Sequence, residues 1–197
     1  MRVTGFRRAV LIVGLLNLGY FGIEFTTALL IGSVSLFADS VDFLEDASIN
    51  FLIVVAVAWS ARSRSVVGRI LAVVILVPAV VTFVTAIVKI FDPVAPAFAP
   101  MSLAALGALV VNLTCAFILV RHRHHEGSLS RAAWLSARND ALANVGIIAA
   151  AFVAIPLQSG WPDIIVGIAI GLLNLDAARA VWRVARDESR QELTPEP

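Results

Sequence analysis

The chain is poor in most of what a soluble enzyme or a nucleic-acid binder needs. Only 15% of its 197 residues are charged, against about 25% in an ordinary soluble domain. Its one cysteine, Cys115, excludes an internal disulfide and offers no metal-binding spacing. All three histidines fall in one stretch, Arg121-His122-Arg123-His124-His125-Glu126. No apolar segment therefore contains an imidazole, which excludes histidine-assisted metal hydrolysis inside the hydrophobic part. No basic patch is interleaved with aromatics, so nucleic acid is excluded as a partner. The net charge of +1 is uninformative as a total; only the placement of the charges carries meaning.

What is abundant is apolar surface. Hydrophobic residues make up 59% of the chain and the mean hydropathy is +0.91. They fall in blocks of about 20 residues, the length that spans ~30 Å of hydrocarbon as a helix. Six such segments are predicted: Ala9–Ile31, Ser35–Trp59, Val66–Phe91, Met101–Val120, Ala132–Pro156 and Ile164–Trp182. Breakers separate them at Gly32-Ser33, from Asp92-Pro93 to Pro100, and over Gln158-Ser159-Gly160-Trp161-Pro162. Arg7 and Arg8 precede the first run, but that run is too long for a signal sequence and carries Glu24, so an uncleaved helix is expected. The expected fold is all-α: a polytopic membrane protein of six helices over 1–186, with a short tail at 187–197 and no soluble domain.

Arginine placement orients the chain. Arg2, Arg7 and Arg8, then Arg62, Arg64 and Arg69, then Arg121, Arg123 and Arg131, then Arg183, Arg186 and Arg190 all fall at one set of segment ends. The opposite loops hold no arginine, and Lys89 is the one basic residue near them. The positive-inside rule then places both termini in the cytoplasm. Trp134, Trp161 and Trp182 sit at segment ends, as interfacial aromatics do.

Carboxylates interrupt two of the apolar segments. At 100° per residue Asp39, Asp42, Asp46 and Asn50 share about 80° of arc, while Glu45 points away. Ser136, Asp140 and Asn144 form a similar stripe on the fifth segment with Asn139 beside it, and Asn17, Tyr20 and Glu24 share a face of the first. At 1.5 Å per residue, Asp46 lies roughly 16 Å below Ser35 and Asp140 about 12 Å above Ala132, close to one level. Asp42, Asp46 and Ser136, Asp140, together with Asn50 and Asn144, are related by a constant offset of 94 residues (136−42, 140−46, 144−50). Such an offset over three helices suits inverted repeats meeting at a midplane site.

A carboxylate at bilayer depth costs at least a few kcal/mol and persists mainly where it binds an ion or lines a pathway. Asp42, Asp46 and Asp140 are thus the expected core of a buried site for a divalent cation. Asn139, Asn144 and Asn50 are auxiliary oxygen donors. Glu24 and Asp39, nearer the outer face, are expected to line a vestibule or relay protons. His122, His124 and His125 are candidates to capture metal at the cytoplasmic face, against the plainer alternative of a solvated basic loop. Asp176 and Arg179, spaced i,i+3, most simply satisfy each other.

Two carboxylates about 6 Å apart on one helix face do not both stay ionised in low dielectric without a counter-cation. An empty site therefore takes up protons as a coupled unit and releases them to an arriving metal. The expected activity is metal/proton exchange rather than enzymatic turnover, with no resident cofactor. An intramembrane aspartyl hydrolase or a small-molecule/proton exchanger would also use membrane-buried acids and is the alternative.

The residues also match a family. Asn17, Tyr20-Phe21-Gly22-Ile23-Glu24-Phe25, Gly32-Ser33 and Ala38-Asp39-Ser40-Val41-Asp42 through Asp46 resemble the first two helices of cation diffusion facilitators. Trp134-Leu135, Asp140-Ala141-Leu142 and Asn144-Val145-Gly146 are similar to that family's fifth helix, and Trp161-Pro162-Asp163 to the entry of its sixth. The resemblance implies a homodimer in the cell membrane (the inner membrane in a bacterium) that exports cytoplasmic divalent metal against protons by alternating access. Zinc is the first expectation, with cadmium, cobalt, manganese or iron behind it. It assigns the metal to Asp42, Asp46, Ser136 and Asp140. Ser136 stands where the family commonly has histidine or aspartate, and the soluble domain that usually follows the sixth helix is expected to be absent.

Overall fold

The structure, a computed structural model, describes residues 2–56, 61–122, 128–175 and 179; among the side chains outside that description are those of 61–65 and 128–138. Six helices run through the described residues: α1 (Arg2–Ile31), α2 (Val34–Ala56), α3 (Ala61–Phe91), α4 (Phe98–His122), α5 (Ser128–Leu157) and α6 (Trp161–Leu175). No strand occurs among them. The first five helices extend beyond the apolar runs at one or both ends or begin close to them, because backbone hydrogen bonding does not stop where hydropathy does. Trp182, the expected end of the last segment, lies outside the described residues.

Helical stretches at Arg7–Ile31, Phe98–Arg121 and Asn139–Leu157 are long and apolar enough to cross a membrane, and shorter apolar stretches occur at Val80–Phe91 and Trp161–Leu175. α2 falls short by composition because it carries Asp39, Asp42, Glu45 and Asp46. The outward surface is apolar: Leu30 is 82% and Phe91 85% exposed. Side chains of that size face outward in such number where lipid takes the place of water.

The α1–α2 turn, the α3–α4 connection and the α5–α6 turn meet at one end of the bundle. α1 stops at Gly32, whose φ of 66° places it in the left-handed region that glycine enters without penalty. Ser33 N then donates to Ala28 O at 3.0 Å, the long bond of a Schellman ending. Gly160 N donates to Pro93 O at 2.6 Å and ties the other two connections together. Arg7, Arg8 and Arg121 are exposed at the opposite end.

α1 packs chiefly on α2 and α4, α4 on α5, and α2 on α3, whereas α2 touches α5 only lightly. The main apolar core joins Ala28, Leu36, Phe37, Met101, Ala105, Ile147 and Ile170 with their neighbours near the shared turns. A smaller cluster of Val34, Ala86 and Ile164 holds α2, α3 and α6 together. Gly167 makes that crossing close: a Cβ there would lie 2.6 Å from Val34 Cγ1 and 2.8 Å from Ser35 N.

Candidate cation site

The site is built on the face of α2, and the first requirement is that α2 be held in register. The opening backbone N–H groups of a helix have no partner within it. Here Ser33 caps the helix by accepting from Leu36 N at 3.2 Å. Asp163, from the first turn of α6, accepts from Val34 N at 2.8 Å and Ser35 N at 3.0 Å. The same carboxylate accepts the hydroxyls of Ser33 at 2.7 Å and Ser35 at 2.6 Å. Lys89 of α3 approaches it to 3.7 Å and donates to Gly32 O. Asp163 is fully buried and fully satisfied.

From that anchor α2 carries Asp42 and Asp46, both half-buried, and Asp140 is half-buried on α5; Glu45, expected to point away from this stripe, is half-buried too and also within electrostatic reach of Asp140. Asp42 lies within electrostatic reach of Asp39, Asp140, Glu45 and Asp46; Asp140 in turn feels Asp46, Asp39 and Glu45. Among the described residues, no three histidine, cysteine or acidic side chains converge tightly enough to hold one ion. α2 makes only light contact with α5, and the carboxylates lie within electrostatic reach of one another without converging. Ser136 lies on α5 one turn before Asp140, with its side chain outside the described set. The same holds for His122, the last residue of α4, and for Arg138; His124, His125 and Asp176 lie outside the described residues altogether.

The two polar stripes share a local hydrogen-bond pattern. Asn50 Nδ2 donates to Asp46 O at 2.7 Å, and Asn144 Nδ2 donates to Asp140 O at 2.9 Å. On both helices the amide hydrogens are turned back on the preceding turn, which leaves the amide oxygen free. Asn144 Oδ1 is buried without a partner, an oxygen donor one turn from Asp140. Asn139 is exposed. Glu24 and Asp39 are shut away from solvent in this conformation, at 0% and 1% exposure.

Several structural side chains carry only faint sequence signals. Tyr20 donates its hydroxyl to Ala104 O at 2.5 Å and stacks on Phe43 at 5.0 Å, fastening α1 to α4 and α2. Asn17 and Asn112, one on α1 and one on α4, are both buried, and Asn17 Oδ1 lies 3.9 Å from Cys115 Sγ. Asn174 of α6 donates to Ala38 O at 2.8 Å, a second tie between α6 and α2. Ser33 reads as a helix cap from sequence, but nothing local to Asp163 or Asn174 names partners on another helix.

An all-helical bundle with four acids on α2 and one on α5, inside otherwise apolar helices, has the outline of a membrane ion-transport domain. Residues 10–188 match the cation efflux transmembrane domain, and the chain belongs to that family, one of transporters rather than enzymes. It is 30% identical over 180 residues to the zinc transporter ZitB of Yersinia pestis, covering 84% of this chain and 56% of that protein. With the zinc transporter ZitB of Pectobacterium atrosepticum it shares 28% identity over 189 residues, 88% of this chain and 57% of that protein. The chain thus spans little more than half the length of these relatives.

Proposed function

We propose that the protein moves divalent metal out of the cytoplasm in exchange for protons, as a six-span homodimer of the cell membrane with both termini inside. The observation that carries this is the grouping of Asp42, Asp46 and Asp140 from α2 and α5 in a cation efflux domain. The transported ion is held by these carboxylates and Ser136, within the domain 1–186. Metal entering from the cytoplasm draws α2 and α5 together and displaces protons. Reopening to the other side releases the metal, and protons return.

Zinc is the first candidate cargo, supported by the ZitB relatives. Cadmium, cobalt, manganese and iron follow from a donor set made of oxygen alone, which suits harder ions as well. In proteoliposomes loaded with a pH dye, a zinc gradient should drive proton movement, and Asp46→Asn or Asp140→Asn should abolish it while leaving the protein folded in detergent. Zinc-driven flux at the wild-type rate in either variant would remove the site assignment. Absence of metal-dependent flux in the wild type would remove the function.

A further inference from the structure

Glu24 and Asp163 are both buried carboxylates, at 0% exposure, with opposite treatment. Asp163 is surrounded by two hydroxyls, two backbone N–H groups and Lys89. Apart from each other, Glu24 and Asp39 on α2 have no hydrogen-bond partner for their carboxyl oxygens. The two carboxyl groups nonetheless lie close enough to act directly on each other. Among the described residues, the only ion pair is Lys89–Asp163, so no basic side chain balances them. Tyr20, one turn from Glu24 on the same face, commits its hydroxyl hydrogen to Ala104 O. Acids retained merely to fasten helices would face donors, and buried polar groups are as a rule satisfied.

Position completes the picture. Counted at 1.5 Å per residue, Glu24 lies about 10 Å from the end of α1 at Ile31, and Asp39 about 8 Å from the start of α2. Asp42 and Asp46 follow at about 12 and 18 Å. Ala28, one turn beyond Glu24 on α1, and Leu36 and Phe37, within a turn before Asp39 on α2, belong to the main apolar core. Ser102 Oγ, about 6 Å into α4 by the same count, is also buried without a partner.

We infer that Glu24 and Asp39 form a second station for the transported divalent cation, occluded between the Asp42–Asp46–Asp140 cluster and the α1–α2 end of the bundle. This rests on the proposed transport function and adds a site to it. Two carboxylates neutralise one divalent ion, and among the described residues no basic side chain pairs with either. The donors are hard oxygens, matching manganese or zinc bound through carboxylate. An ion that has left the half-buried cluster would wait here, dehydrated, until the apolar core parts.

Equilibrium binding of manganese and of zinc to the full chain in detergent tests this. The double variant Glu24→Gln/Asp39→Asn should bind one ion fewer than wild type, and so should Asp46→Asn/Asp140→Asn; combining all four should remove both. The two pairs read out separately, so failure of the transport site leaves the Glu24–Asp39 result intact. Glu24→Asp, which keeps the charge and shortens the arm, should weaken the second ion about tenfold and guards against loss of fold in the double variant. Unchanged stoichiometry in Glu24→Gln/Asp39→Asn, or unchanged affinity of both ions in Glu24→Asp, overturns the inference.

Discussion

Asp163 is a buried carboxylate whose contacts are those of a fastener, accepting two backbone N–H groups and two hydroxyls at the start of α2. Removing it orphans Val34 N and Ser35 N, each unmet N–H costing about 1–3 kcal/mol when water cannot reach it. Asp163→Ala should therefore lower the thermal unfolding midpoint in detergent markedly, and Asp163→Asn, which keeps one acceptor oxygen, by less. Equal midpoints for wild type and Asp163→Ala would mean the carboxylate is not the cap. Ser136 is proposed as a ligand of the transported ion. Ser136→His should tighten zinc binding and add a titration near the imidazole value of about 6.5 to the pH profile of transport. Zinc affinity and profile both unmoved would place Ser136 away from the ion. At this scale the acidic stripes are readable from helical period alone. The partners of Asp163 are not, because its contacts lie 128–130 residues away in the chain.

Helices here are specified by apolar length, and their closest crossings by small residues. Order and number of the elements are legible in the sequence because the apolar blocks are separated by breakers such as Gly32 and Pro93 or by arginine-bearing stretches such as that at Arg62 and Arg64. The separation of α2 from α5 is not legible: both carry matching stripes, yet helical period says which face is polar and nothing of how far apart two faces stand. The α2–α6 crossing is equally silent until Gly167 is seen against Val34 and Ser35. Gly167→Ala should force the two helices apart or bend one of them. Overpacking of this kind costs about 1–3 kcal/mol, measurable as a lower unfolding midpoint. The neighbouring lipid-side change Ile165→Ala, at a residue 60% exposed, should be close to silent. A Gly167→Ala protein as stable as wild type would show that the crossing yields without strain.

For the molecule as a whole, the proposed orientation rests on arginine asymmetry, and three connections gather at the end away from Arg7, Arg8 and Arg121. Thiol labelling tests it directly. In a Cys115→Ser background, a cysteine at Val94 should react with a membrane-impermeant maleimide in intact cells. A cysteine at Arg121 should react only after permeabilisation. The reverse pattern would invert the topology and with it the direction of export. The exposed apolar belt follows from composition, since 59% hydrophobic content exceeds what a core of this size can enclose.

The cap on α2 also bears on how the protein is made. Ribosomes deliver α1 and α2 to the membrane long before residue 163 exists, so the hairpin first inserts with Val34 N and Ser35 N facing headgroups and water. Completion of α2 waits for the last helix, whose arrival supplies Asp163 and the Gly167 contact together. A nascent chain halted before α6 would therefore hold its acidic helix α2 loosely at one end. Membrane quality-control proteases would have a reason to recognise it as unfinished.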